Sequence, residues 1–287
     1  MDLLALKTFV AVVEEGGVLA ASKTLFTVQS NVTSRIKRLE QQLGAELFIR
    51  HGRGLQLTPA GNVLLEYARK MLKLAKQTES ALQQVGENAG EIRIGAMETF
   101  AAVRLPAALK AIRQRHPGLK PQVNTNPTTD LVRQVLDHQL DCAFVGGPLE
   151  HPELVSEVVV TEKLTLVRGF DVDPDNQPLI MFREGCAYRA RALAWRRQSG
   201  DPMCEVMQLG TLDGILGCVA VGLGATVLPE AVVRLSRFRD ELITEEIPDD
   251  IALIDTLMIR HRDAPVMAGV NSLAEAVTET ATIAAAA

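Results

Sequence analysis

Nothing in the 287-residue sequence approaches the run of about 20 apolar residues that a bilayer-spanning helix needs. The opening stretch, MDLLALKTFVAVVEEGG, has no basic leader and is soon interrupted by Glu14 and Glu15, so a cytoplasmic protein with no membrane partner is expected. Cysteine is sparse. Cys142, Cys186, Cys204 and Cys218 form no CxxC pair, and a cytosolic chain of this size does not depend on disulfides, so reduced thiols are expected. His51, His116, His138, His151 and His261 show no HxxH or HExxH spacing, and neither a GxSxG elbow nor a GxxxxGK(S/T) phosphate loop occurs. GLGATV lacks the third glycine of a dinucleotide fingerprint. With these routes to catalysis missing, the chain is not expected to be an enzyme, to carry a cofactor or to hold a metal.

Hydrophobic residues at 47% and charged residues at 23% place the chain among globular proteins, and its length calls for more than one core. The net charge of −5 is unevenly spread. Residues 1–87 carry 11 Lys+Arg against 8 Asp+Glu, a net of +3, and the other 200 carry 19 against 27, a net of −8. A mildly basic head precedes an acidic body. Phosphate attraction acts over a Debye length of about 8 Å, so the head alone has the charge to engage nucleic acid.

The head begins with Leu3, Leu6, Phe9, Val10 and Val13 at helical spacing, ending at Gly16-Gly17. A short helix over Val18 to Leu25 follows, with Phe26-Thr27 as the break. The next segment, VQSNVTSRIKRLEQQLG, sets Val32, Ile36, Leu39 and Leu43 on one face and stops at Gly44. Its other face begins with Gln29, Ser30, Asn31, Thr33 and Ser34, short groups able to reach base edges from a helix N-terminus. Arg35, Lys37 and Arg38 follow, placed to hold phosphates. A polar face is also what any solvated helix shows, so the order of elements matters more than this face alone. After it, AELFIR and LQLT are strand-like runs joined by HGRG, a hairpin with Arg50, His51 and Arg53 near its tip, which reads as a wing.

The sequences LKTFVAVVEEGGVLAASKTL, VQSNVTSRIKRLEQQLGAELFIR and LTPAG, in this order and spacing, resemble the head of the LysR-type transcriptional regulators. The family commonly has proline where Ser30 stands and serine where Thr33 stands; QSNVT is the variant of one branch, as is FREGCAYR further on. The resemblance implies a DNA-binding regulator, with a double-stranded operator, a second copy of the chain and RNA polymerase among its partners, and a small-molecule effector.

Thr58-Pro59 opens a helix, with threonine as N-cap and proline at the first position, that runs to about Val85. Leu64, Tyr67, Met71, Leu74, Thr78, Ala81 and Val85 alternate spacings of three and four, a seam for a second chain or for the protein's own core. The family dimerises through this helix and often forms tetramers.

From Glu91 the pattern alternates strands and helices. EIRIGA, KPQVNT, DCAFVG, KLTLVR, PLIMF, CEVMQLG and TLMIR read as strands, with helices over Leu105–His116, Thr128–His138, Ala187–Gln198, Thr211–Val221 and from Pro265 to about Thr280. Such units build parallel sheets. The expected fold is therefore a multi-domain α/β chain: a winged helix-turn-helix over 1–58, a linker helix over 59–87, and a two-lobed effector domain similar to periplasmic solute-binding proteins. Its first lobe spans 91–161 with 263–282 and its second 162–262. VAVGLGATVLPE is its best local match.

Ligands favour strand ends and helix N-termini. Three loops qualify: Met97-Glu98-Thr99-Phe100, Pro127-Thr128-Thr129 and Gly210-Thr211, whose hydroxyls would serve equally well as N-caps. Family sites match at Thr99 and Thr128. Cys186, Tyr188 and Arg189 lie at a fourth junction, where Arg189 suits a carboxylate effector or a surface or interlobe salt bridge. Two rivals remain: a stand-alone solute-binding protein, disfavoured by the attached head, and a regulator that senses oxidation through Cys186 with Cys204 or Cys218.

Overall fold

The computed structural model describes residues 1–51, 54–87, 89–170, 177–265 and 267–285. Two compact units emerge, Met1–Glu79 and Ser80–Ala287.

In the first unit, α1 (Leu3–Glu14) is capped by Asp2, whose Oδ1 accepts from the Ala5 amide at 2.7 Å. The helices α2 (Val18–Thr24) and α3 (Gln29–Leu43) cross it, and a hairpin of β1 (Phe48–His51) and β2 (Gly54–Leu57) follows. Leu6, Phe9, Val12, Ala21, Val32, Leu39 and Leu47 form the core. Burial of such side chains contributes about 1.5–3 kcal/mol each, which is what a unit this small needs to hold its helices together. The face of α1 differs slightly from the sequence pattern: Leu3, at the open first turn, is 46% exposed, while Val12 is buried. Gly44 takes the left-handed conformation (φ 65°) that ends α3, and Glu40 Oε1 accepts from the Leu47 amide at 2.8 Å, tying α3 to the hairpin.

Helix α4 (Pro59–Glu87) starts at Thr58, whose Oγ1 accepts from the Gly61 amide (2.9 Å) and donates to the Glu46 carbonyl (2.7 Å). The predicted seam divides. Leu64 packs on the core of the head along with Leu65, Ala68 and Leu72, whereas Tyr67, Met71 and Leu74 are exposed. The side chains of Ala81 and Val85 lie outside the described residues.

The second unit is built on two sheets that share one strand. In the first, β3 (Ala89–Ala96) runs parallel to β4 (Gly118–Thr125) and β5 (Cys142–Gly146). Antiparallel β11 (Leu253–His261) pairs with β5 and with the first part of β6 (Leu154–Gly169). Helices α5 (Glu98–Val103), α6 (Leu105–Arg115), α7 (Thr128–Leu136) and α12 (Ala268–Ala285) accompany this lobe. From Leu164 onward β6 changes partners to β9 (Thr226–Pro229) and β10 (Leu242–Glu246). The second lobe adds parallel β7 (Leu179–Met181) and β8 (Val206–Gln208), with α8 (Ala187–Gln198), α9 (Leu212–Ala220) and α10 (Glu230–Leu235).

The chain crosses between lobes within β6 and again at α11 (Asp249–Ala252). Strand β11, which the boundary of 162–262 assigns to the second lobe, lies in the first sheet because its buried residues 256–259 pair with the equally buried 143–146 of β5. The sequence pattern does not reveal the first half of β6. Its inward Leu154 and Val159 are interleaved with Ser156, Glu157, Thr161 and Glu162, which hides the strand.

Candidate functional site

The polar face of α3 is displayed as its pattern requires. Val32, Ile36 and Leu39 point into the core, while Gln29, Ser30, Asn31, Thr33, Ser34 and Lys37 are exposed and Arg35 is half-buried. Asn31 Nδ2 donates to Thr27 Oγ1 at 3.1 Å, which fixes the first turn. Arg50 lies in β1, and Arg53 falls outside the described residues.

The second unit holds a cavity of about 100 Å³ where the lobes meet. It sits just beyond the carboxyl ends of four strands: Met97, Glu98 and Thr99 follow β3; Asn126, Pro127 and Thr128 follow β4; Phe182 and Arg183 follow β7; Leu209 and Gly210 follow β8. Carboxyl ends of parallel strands bring loops and helix N-termini together, and are where α/β folds seat ligands. Thr125, Cys186 and Tyr188 complete the lining.

Polar bonds cross this cavity from lobe to lobe. Glu98 Oε1 accepts from the Leu212 amide at 2.9 Å, so the chain's own carboxylate satisfies an otherwise free N–H at the start of α9. Arg183 donates to Asn126 Oδ1 at 2.8 Å and pairs with Asp130 at 2.9 Å. Thr99 Oγ1 donates to the Tyr188 hydroxyl at 3.3 Å, and both are buried. Burial, reinforced by the nearby Glu162, pushes the Tyr188 hydroxyl far up, so it stays protonated. Behind it, Arg104 meets Glu162 at 3.4 Å, and burial outweighs that partner and raises the Glu162 carboxyl.

Six of the sequence candidates line the cavity: Glu98, Thr99, Thr128, Cys186, Tyr188 and Gly210. Thr128 Oγ1 also accepts from the Gly146 amide at 3.2 Å. The other four stand elsewhere. Phe100 is core, stacked on Phe144 at 4.4 Å. Thr211 caps α9, accepting from the Gly214 amide. Thr129 and Arg189 line a second, more open cavity of about 450 Å³ with Gly146, Gly147, Glu184 and Arg191. Arg189 is committed to structure there, donating to the Phe182 carbonyl (3.0 Å) and Gln208 Oε1 (3.1 Å).

Gly185 makes the close approach possible. Its φ of +88° suits glycine, and a Cβ there would overlap Thr129 Oγ1. Burial raises the Cys186 thiol more than the nearby Arg189 lowers it, the opposite of an activated thiolate. The sequence pattern does not single out Thr125, Asn126, Phe182, Arg183 and Leu209, although the ends of KPQVNT, PLIMF and CEVMQLG mark where they lie. Among the described residues no cluster of His, Cys, Asp and Glu is arranged to hold a metal, and no helix is long and apolar enough to cross a membrane.

Comparison with known proteins yields two family matches: the bacterial regulatory helix-turn-helix protein, lysR family, over residues 3–62, and the LysR substrate binding domain over residues 86–282. The HTH-type transcriptional regulator GltR of Bacillus subtilis is 35% identical over 270 residues, covering 92% of this chain and 91% of that protein. CzcR of the same species is 35% identical over 283 residues, covering 97% and 98%. The crystal structure of CbnR, a LysR family transcriptional regulator, matches with a TM-score of 0.72 at 20% identity over 98% of this chain and 99% of that one, a likeness of fold.

Proposed function

This chain belongs to the LysR family of DNA-binding transcriptional regulators, which are not enzymes, and from that premise we propose which residues read DNA and which receive the signal. Gln29, Ser30, Asn31, Thr33 and Ser34 read operator bases, and Arg35, Lys37, Arg50 and Arg53 hold phosphates. The exposed Tyr67, Met71 and Leu74 pair α4 with a second copy, which sets two recognition helices about one DNA turn apart. QSNVT and GCAYR assign the chain to one branch of the family. Its place of action is the cytoplasm.

The effector is a small carboxylate seated between the lobes. The observation that carries this is the ring of strand ends around the 100 Å³ cavity, bridged by Glu98 on Leu212 and by Arg183 on Asn126. Arg183 and Thr128 receive the carboxylate, and Glu98 takes a donor group. A ligand that replaces these bridges favours one spacing of the lobes over another; that differential affinity is what shifts the dimer, DNA bending and contact with RNA polymerase.

The test is a thermal-shift screen of the full chain against small carboxylates, amino acids and aromatics, since a ligand at 100 times its Kd stabilises by about 2.7 kcal/mol. A hit whose shift vanishes in Arg183→Ala and Thr128→Val supports the seat. A shift lost only in Arg189→Ala moves the effector to the second cavity.

A further inference from the structure

The turn between α2 and α3 carries a side chain that the fold does not use. The Phe26 amide donates to the Lys23 carbonyl at 3.1 Å and the Thr27 amide to the Ser22 carbonyl at 2.9 Å. This bond pair is the Schellman close of a helix, and its left-handed position is normally glycine or asparagine. Here it is phenylalanine, at φ +50°. A bulky side chain is strained in that region, and such strain persists where the residue serves something else. Packing offers no compensation, because Phe26 is 97% exposed.

Its location gives the reason. Phe26 immediately precedes Thr27, whose hydroxyl holds Asn31 in the first turn of α3, and Val28, the N-cap of α3, is 60% exposed. Phe26 therefore stands fully exposed three residues before Gln29, at the entry to the polar face of α3, on the basic unit of the chain. Within a major groove the apolar feature on offer is the C5-methyl of thymine. We propose that Phe26 is a DNA-contacting, specificity-determining residue whose ring packs on a thymine methyl at the edge of the half-site read by α3.

The experiment uses the full chain, duplexes selected from a random library by that chain, and fluorescence anisotropy at fixed salt. Phe26→Asn, and Phe26→Gly as a second variant, relieve the strained position, so the melting midpoint of the head rises by about 4 °C. Binding to the selected duplex nonetheless weakens several-fold, less than the loss of a bidentate hydrogen-bonded base contact. Replacing each thymidine in turn by 2′-deoxyuridine, which removes only the methyl, weakens the unaltered protein several-fold at one position per half-site and leaves Phe26→Asn unaffected there.

Equal affinity of variant and unaltered protein would overturn the proposal, as would identical uracil profiles. A lowered melting midpoint would make the ring structural and defeat it. A changed oligomeric state on sedimentation would assign the ring to contact between copies and defeat it equally.

Discussion

The head and the body solve recognition in opposite ways. The residues proposed to touch DNA are almost all on one exposed helix face, Gln29 to Lys37, and the same α3 buries Val32, Ile36 and Leu39. One 3.6-residue period therefore fixes both the core and the surface. In the body, the cavity takes residues from four chain segments between Met97 and Gly210, and no local period connects them. A helix face can be rewritten residue by residue, whereas the cavity depends on two lobes meeting correctly.

The largest expected effect tests whether the two regions are separable. Phe9 is fully buried and touches Phe48 with ring centroids 5.3 Å apart. Phe9→Ala should cost the head about 3–5 kcal/mol. Calorimetry should then show the head's transition lowered and that of residues 80–287 unmoved; a common shift would mean that the units melt as one.

Next in size is the charge pair behind the cavity. Removing one member of a buried pair costs about 3 kcal/mol, so Arg104→Met should destabilise the body clearly. The effect should depend on pH. Burial already lifts the folded Glu162 carboxyl above its ordinary value, so its contribution to stability is present at low pH and is lost as pH rises through the folded value. Arg104 opposes that rise. Without it the gap widens, and the melting deficit of the variant should be greater at pH 8 than at pH 5. A deficit of equal size at both would show that the pair acts through packing alone.

A smaller effect is expected at the lobe contact. Gly185→Ala must hold alanine at φ +88° and push Thr129 away, which costs roughly 1–2 kcal/mol for the backbone alone. It should also weaken any effector shift, since the Thr129 amide donates to the Gly185 carbonyl at 3.4 Å across the lobes. Thermal melts with and without a screened ligand separate the two losses.

These sizes follow how much of each region is legible in the sequence. In the head, Gly44, the Thr58-Pro59 start and the Val32, Ile36 and Leu39 positions of the α3 stripe stand where local rules place them, whereas Leu43, in the last turn before Gly44, is 41% exposed. The body's strand ends are legible too, which brings Glu98, Thr99, Thr128 and Gly210 to the cavity. Arg183 and Arg189 are not separable in sequence, because both flank EGCAY; only the fold shows that Arg183 lines the cavity, bonded to Asn126 and Asp130, while Arg189 lines the second one, bonded to Phe182 and Gln208. The crossing inside β6 is hidden for a related reason: its polar residues Glu157, Thr161 and Glu162 look like a loop until β11 pairs beside them. Phe26 reads in sequence merely as a break, since nothing local reveals its exposure or its left-handed backbone.

The smallest effect sharpens the comparison on the head's side. Arg35 follows the residues proposed to read bases on α3 and is half-buried. If it holds a phosphate, Arg35→Ala should weaken binding to every duplex by a similar factor. The slope of log affinity against log salt should become shallower by about 0.9 for each phosphate contact removed, because that many fewer counterions are released. Gln29→Ala should instead leave the slope alone and relax the preference at one base pair. A flattened slope in Gln29→Ala, or a base-dependent loss in Arg35→Ala, would exchange the two roles on the same helix face and leave the body's cavity untouched.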